Sequence, residues 1–200
     1  SSNARVTITD CLVKGSINAT MEKGKKGMGG FVYCQYGTCK LTNCLYAGEN
    51  NCSRGYTFCT NSFSGTTITN CYYLNACGTA QGTQVTEEQL RNGEVAYLLQ
   101  NGRNTQFWGQ TLGTDKEPLL TTDEAKHIYK VDFAYNNEVR ATRYANKGGT
   151  VSLPTLQEAL GNSYNPHHYY TGFAFANGFN ETTPVEGNMT VAVTVNEKDC

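Results

Sequence analysis

The sequence predicts a mainly β fold, in which short right-handed β-helix (solenoid) repeats with a helical cap precede a small β-grasp-like α+β module. A four-residue phrase recurs three times in the first 80 residues. Turn-forming and strand-forming residues are abundant, including 21 glycines and 13 tyrosines. The clearest helix signal begins only at Thr86. We therefore expect repeats over 1–84, a helical cap and a strand over 85–132, and a β-rich module over 133–200.

The recurring phrase consists of Ile or Leu, then Thr, then Asp or Asn, and then Cys. Its three copies are Ile8–Cys11, Leu41–Cys44 and Ile68–Cys71. Self-similarity at such intervals is typical of stacked repeats. Alternation along a strand would put the aliphatic residue and the cysteine on opposite faces. An Asp or Asn between them can adopt the left-handed conformation and turn the chain. We therefore expect Asp10, Asn43 and Asn70 to form corners, so that the aliphatic residues and the cysteines both point inward.

A second phrase completes each repeat. Gly29–Cys34 precedes the second copy of the first phrase, and the weaker Gly55–Cys59 precedes the third. Each unit thus reads as two or three short strands with polar or glycine corners. The lysine- and glycine-rich stretch 21–28 indicates a solvated loop, and a binding loop is the alternative. Stacked repeats usually need at least three units, so we expect further coils upstream or a cap formed by the next segment.

The chain has nine cysteines, an odd number, so that they cannot all pair within the chain. Cys11, Cys44 and Cys71 recur in register and are expected to be reduced, buried and stacked. We expect a second stack of Cys34 with Cys59. Three cysteines fall outside the register, and a disulfide among them stays open: Cys39, Cys52 and Cys77. The C-x4-C-x4-C spacing from residue 34 departs from zinc and iron–sulfur patterns, so a metal site there is disfavoured.

Thr86 begins the clearest helix. Thr86 and Gln89 form a capping box, two glutamates follow the cap, and Asn101-Gly102 is a stop signal. We expect one helix that covers the open end of the coils through Leu90, Val95, Leu98 or Leu99, which would protect the strand edges. Glu94 is expected to face solvent rather than to be catalytic.

Trp108 is expected to complete this cap. The alternative is a functional role, in which its ring is a platform that stacks against a sugar. Beyond it, the alternating residues 127–132 predict a strand. Pro154 can start a short helix that ends near Gly161. Residues 171–176 and 189–195 predict two further strands joined by the loop 178–187. This pattern predicts the β-grasp-like module.

Two resemblances to known families agree with this order of elements. The residues Gly29-Gly30-Phe31-Val32 followed by Leu41-Thr42-Asn43-Cys44 resemble the GLUG-type repeat of large bacterial surface proteins, and 86–102 resembles the segment that commonly follows it. The last third is similar to the Listeria–Bacteroides (internalin-type) β repeat. The matching stretches are Asn146–Thr150, Leu153-Pro154, Tyr170–Phe173 and Gly187–Val191. Ala174 stands where that family usually has a tryptophan. The resemblances imply an extracellular, repetitive, non-catalytic protein.

Composition and motifs assign no catalytic, cofactor-binding or metal-binding residue. A net charge of −1 gives no reason to expect nucleic acid as a partner, and no apolar run approaches the ~20 residues of a membrane span. His167-His168 is a weak metal candidate because adjacent side chains on an extended segment point to opposite sides. Asp10 is the only acid at a repeat corner, where Asn43 and Asn70 are its equivalents, which suits a corner better than acid–base chemistry.

These observations predict a segment of a secreted or cell-surface bacterial protein with a structural or adhesive role and no catalysis. Its ligand would be a glycan or an extracellular protein. A β-helix polysaccharide lyase or hydrolase is the first alternative, and a carbohydrate-binding module that uses Trp108 or the tyrosines is the second. An acid cluster in a groove would favour the enzyme, and an exposed aromatic platform would favour the binding module.

Overall fold

A computed structural model describes residues 5–18, 28–33, 37–49, 54–60 and 65–198 of the chain. The fold is mainly β, with 38% strand and 15% helix distributed over several sheets. The mainly β class expected from composition is therefore confirmed. No helix in the described ranges is long and apolar enough to cross a membrane.

Each repeat contributes a longer strand followed by a two-residue strand. These pairs are β1 (Arg5–Thr9) with β2 (Leu12–Val13), β3 (Thr38–Thr42) with β4 (Leu45–Tyr46), and β5 (Thr66–Thr69) with β6 (Tyr72–Tyr73). The longer strands form one parallel sheet in the order β1-β3-β5, and the short ones form a second. The copies of the recurring phrase stand side by side, because Ile8 pairs with Leu41 and Leu41 with Ile68.

The residue between the two strands of each repeat turns the chain as predicted. Asp10, Asn43 and Asn70 have φ angles of 53°, 53° and 50°, all in the left-handed region. The Asn70 Nδ2 atom donates to Asn43 Oδ1 over 2.8 Å, which links two corners directly. The turn sends the flanking side chains to the same interior, where Leu41 and Cys44 are both fully buried.

The in-register cysteines form a stack with one exposed end. Cys11, Cys44 and Cys71 are free thiols, and Cys44 and Cys71 are buried. A hydrogen bond to the Cys71 side chain, reinforced by burial, holds the pKa of the Cys44 thiol above its ordinary value, so it stays protonated and unreactive. The expectation of full burial is wrong for Cys11, which is only partly buried, because β1 and β2 are the outermost of the described strands in their sheets.

The other cysteines are described only in part. Cys39, Cys59 and Cys77 are buried in the same core. Cys59 forms a parallel bridge with Val32, while its expected stacking partner Cys34 lies outside the described residues, as do Cys52, Cys200 and most of the lysine-rich loop.

We expect Cys44→Ala to lower the free energy of unfolding by about 1–2 kcal/mol, through lost burial and a small cavity. Urea denaturation of the full chain would measure it. Cys11→Ala is the matched control, and it should cost less because Cys11 is only partly buried. Equal losses in the two variants would contradict the stack.

The segment after the repeats contains two helices instead of the single one predicted. They are α1 (Glu87–Arg91) and α2 (Glu94–Gln100). The capping box of Thr86 with Gln89 and the left-handed end at Asn101 are confirmed. The break falls at Gly93, whose φ of 92° is not helical. Gly93 is buried so closely that an added Cβ would meet Leu112 and Ile128 side-chain atoms at 3.0 and 3.2 Å.

The two helices pack on a face of the sheet of short strands, instead of at the end of the repeats where the cap was expected. In every repeat the residue after the cysteine points outward and is apolar, namely Leu12, Leu45 and Tyr72. The residues of the helical segment that pack on this row are Leu90, Val95, Leu99 and Trp108, with Leu98 partly buried beside them. At the end of the second sheet, the strand β7 (Thr83–Gln84) pairs with β6.

A hairpin of two short strands, β8 (Trp108–Gly109) and β9 (Leu119–Leu120), connects the helices to the last sheet. That sheet consists of β10 (Ile128–Tyr135), β11 (Glu138–Asn146), β12 (Tyr169–Phe175) and β13 (Met189–Lys198). Its order is β11-β10-β13-β12, and the central pair β10 and β13 is parallel. The expected boundary between 132 and 133 falls inside β10.

One helix, α3 (Leu156–Leu160), packs against this sheet and ends at Gly161 as predicted. Its cap is Thr155, one residue beyond the proline expected to start the helix, and Thr155 forms a capping box with Glu158. The core under the helix is separate from that of the repeats and includes Phe133, Ala159, Val185 and Val191.

Candidate functional site

A partly buried ion pair joins the corner of the first repeat to the helical segment. Arg103 Nη1 and Nη2 donate to the two carboxylate oxygens of Asp10, each over 2.8 Å. Trp108 Nε1 donates to Asp10 Oδ1 over 2.9 Å, and the Trp108 side chain is only 1% exposed. This pairing explains why the first corner carries an acid while the next two carry asparagine. Trp108 therefore packs with the helices on the face of the short-strand sheet and not on the end of the repeats, and the sugar-stacking platform is wrong because the ring is buried.

Buried Gln100 fixes the loop that carries Arg103. Its Nε2 atom donates to the carbonyl oxygens of Arg103 and Thr105, both over 2.8 Å. Its Oε1 atom accepts from the backbone N–H groups of Phe107 and Trp108. All four hydrogen-bonding positions of the amide are thus used, and the loop is held rigidly against the end of α2.

We expect Asp10→Asn to lower the free energy of unfolding by about 2 kcal/mol, since charge-assisted hydrogen bonds are worth about 1.5–3 kcal/mol. Asparagine keeps the left-handed corner, as Asn43 and Asn70 demonstrate, so the loss reports on the junction. Chemical denaturation measures it. Glu138→Gln is the control. It removes the ion pair between Glu138 and Arg140, which should add little stability because the Glu138 side chain is 68% exposed. An equal effect of both variants would mean that the junction adds no stability.

A polar cleft of about 240 Å³ lies beside this junction, between the end of α2 and the start of β10. The apolar part of its lining consists of Tyr97 and Ile128. The loop before β13 contributes Asn188. Asn104 reaches it from the loop that Gln100 holds, and His127 completes it. Three separate segments therefore converge on one small space.

The protonation state of His127 follows from its neighbours. Gln106 Nε2 donates to the Trp108 carbonyl oxygen, which orients the Gln106 amide so that Oε1 meets His127 Nδ1. An amide oxygen only accepts, so Nδ1 carries the proton. Burial lowers the pKa of His127, which keeps the ring neutral near pH 7. In the neutral ring, Nε2 is then a hydrogen-bond acceptor.

A wider, shallow cleft of about 500 Å³ lies on the other side of the junction. Phe107 and Leu120 line it with side chains 39% and 47% exposed. The Arg103 guanidinium stacks over the Phe107 ring at 4.4 Å. Asp10 also lines this cleft, but its carboxylate oxygens are already engaged by Arg103 and Trp108.

The other candidate residues from the sequence do not come together. Glu94 is partly buried instead of solvent-facing, and it accepts a hydrogen bond from Gln89. His167 and His168 are exposed, and His168 lies 3.3 Å from Glu197. Within the described ranges, no group of three or more His, Cys, Asp or Glu side chains could hold a metal ion.

Sequence reasoning missed the polar cleft. Asn104, His127 and Asn188 are far apart in the chain and belong to no common motif. His127 appeared only as the first residue of a predicted strand. The only local signal was Asn101-Gly102, which ends α2 and sends the chain toward Asn104.

Comparison with known proteins adds no relative. The chain matches no protein-family model, and neither the curated proteins nor the solved structures contain a match.

Proposed function

We propose that the chain is a segment of a secreted or cell-surface bacterial repeat protein, with a structural or adhesive role and no catalysis. The observation that supports it is the in-register parallel pairing of the recurring phrase, Ile8 with Leu41 and Leu41 with Ile68. The residues that recur are those that a coil needs for its interior and its corners. We interpret the two parallel sheets as faces of a short right-handed β-solenoid, which provides length and surface rather than one catalytic cleft.

The last third supports the same proposal. Its strand order, with a parallel central pair, and the packing of α3 against the sheet are consistent with a β-grasp-like module. Such a module after a solenoid agrees with the resemblance to the internalin-type β repeat. The partly buried junction of Asp10 with Arg103 and Trp108 ties the helical segment to the coils, as a load-transmitting or displaying element requires.

The contacts of the acids at the corner and in the helix favour a role without catalysis. Asp10 directs both oxygens to Arg103 and Trp108. Glu94 accepts from Gln89 inside the helical segment. A general acid or nucleophile needs a carboxylate that reaches the substrate, and neither of these is presented in that way.

The test is a panel of polysaccharides and glycosides assayed for product release with the full chain, run beside an array of glycans and extracellular-matrix proteins. We expect no release and retention on one or more array members. Product release that Asp10→Asn or Glu94→Gln abolishes, while Glu138→Gln leaves it unchanged, would overturn the proposal in favour of a β-helix enzyme.

A further inference from the structure

We infer that the polar cleft beside α2 binds one neutral sugar residue of a glycan. This inference rests on the proposed adhesive role and names the chemistry of its ligand. The cleft has a volume of about 240 Å³, just below the ~300 Å³ at which drug-sized pockets begin. That space admits a single pyranose ring and excludes a longer chain, which would have to continue outside it.

The hydrogen-bonding groups of the cleft suit adjacent hydroxyl groups. Asn188 Oδ1 accepts from the backbone N–H of Lys130 over 2.8 Å, which leaves its Nδ2 group as a donor. His127 offers an acceptor at Nε2, because its Nδ1 proton is committed to Gln106. The exposed Asn104 amide supplies both a donor and an acceptor. Hydroxyl groups, each a donor and an acceptor, match this mixed set.

The charges around the cleft favour a neutral ligand. Arg103 lines it, but both terminal nitrogens of its guanidinium donate to Asp10. Lys130, which lies over the Tyr97 ring at 5.9 Å, forms an ion pair with Asp132 over 2.6 Å. Both nearby cations thus already have carboxylate partners. An acidic sugar would therefore lose its hydration without gaining a free counter-charge.

The cleft also has an apolar surface, and its polar groups are held in position before a ligand binds. Tyr97 and Ile128 offer a surface to the C–H face of a sugar ring. The loop of Asn104 is held by four hydrogen bonds of Gln100, and Asn188 is held through Lys130. A site whose groups are already positioned loses little entropy on binding. A single sugar should still bind weakly, with Kd about 1–10 mM, and affinity for a surface would come from many copies.

The experiment is a titration of the full chain with the methyl glycosides of glucose, galactose, mannose, N-acetylglucosamine and, as the acidic comparison, glucuronic acid, followed by ligand-detected NMR. Two variants probe the cleft, Asn104→Ala and Asn188→Asp. The second keeps the acceptor for the Lys130 N–H and removes the donor group. Each should weaken binding of the preferred glycoside about fivefold, the size of one lost hydrogen bond. The controls are Tyr33→Ala and Tyr169→Ala, which remove rings that are 49% and 60% exposed and do not line the cleft.

The outcomes separate this inference from the proposed function. Binding that falls in the two cleft variants and is unchanged in the two tyrosine variants supports it. Three results would overturn it. They are no binding to any glycoside, binding of equal affinity in the cleft variants and the unchanged chain, and a preference for the glycoside of the uronic acid. In each of these cases a product-release panel without turnover leaves the adhesive role intact. Turnover of a glycoside would instead overturn the proposed function itself.

Discussion

Trp108→Ala is expected to lower the free energy of unfolding by about 3–5 kcal/mol, the range for removing a large aromatic side chain from a core. Trp108 is the largest of the fully buried side chains in the described ranges. It packs in the cluster of Leu45, Tyr72 and Leu99 that joins the repeats to the helices. Its indole N–H also donates to Asp10 over 2.9 Å. Urea denaturation followed by far-ultraviolet circular dichroism measures the loss.

Trp108→Phe separates the two contributions. Phenylalanine keeps most of the ring volume and removes the donor to Asp10, so we expect a smaller loss of about 1–2 kcal/mol. A loss in Trp108→Ala no greater than in Trp108→Phe would mean that the indole does not hold the helices on the repeats. Near-wild-type stability of both variants would contradict the packing described here.

The corners and helix ends could be predicted from the sequence because their causes are local. The left-handed conformation of Asn43 depends on its short amide side chain and its immediate neighbours. The capping box of Thr86 and Gln89 is likewise complete within four residues. Such signals do not depend on where the rest of the chain lies, and the structure reproduces both.

The position of the helices could not be predicted in this way. Leu12, Leu45 and Tyr72 are separated along the chain, and their common outward row exists only once the strands pair in register. Only that row reveals that the apolar face of α2 belongs on the sheet of short strands. The break at Gly93 has the same origin, because it depends on atoms of Leu112 and Ile128.

The polar cleft depends on still longer-range contacts. His127 takes its tautomer from Gln106, and Asn188 takes its orientation from Lys130. None of these residues is distinctive in the sequence. Their roles follow from hydrogen bonds that form after the helical segment and the last sheet have met.

The second phrase contains the glycine pair Gly29-Gly30. The sequence shows that glycine stands there, and only the fold explains why a residue with a side chain would not fit. Gly30 donates its N–H to the Tyr56 carbonyl oxygen over 3.1 Å, so the backbones of two repeats touch at this point. A Cβ atom on Gly30 would lie 2.1 Å from the Thr57 carbonyl oxygen and 3.1 Å from the Tyr46 ring. Real Cβ atoms do not approach a backbone oxygen so closely, and Thr57 is fully buried and has no room to move.

Gly30→Ala is therefore expected to cost about 3 kcal/mol or more, at or beyond the upper end for overpacking, because backbone and not a flexible side chain must shift. The variant should also weaken the neighbouring contact between the tilted rings of Phe31 and Phe58, whose centroids are 5.0 Å apart. The same denaturation experiment measures the loss. Gly15→Ala is the control, since an added Cβ there meets nothing within 4 Å, and it should change stability by less than about 0.5 kcal/mol. If Gly30→Ala were as mild as Gly15→Ala, the two repeats could not be in backbone contact at Gly30.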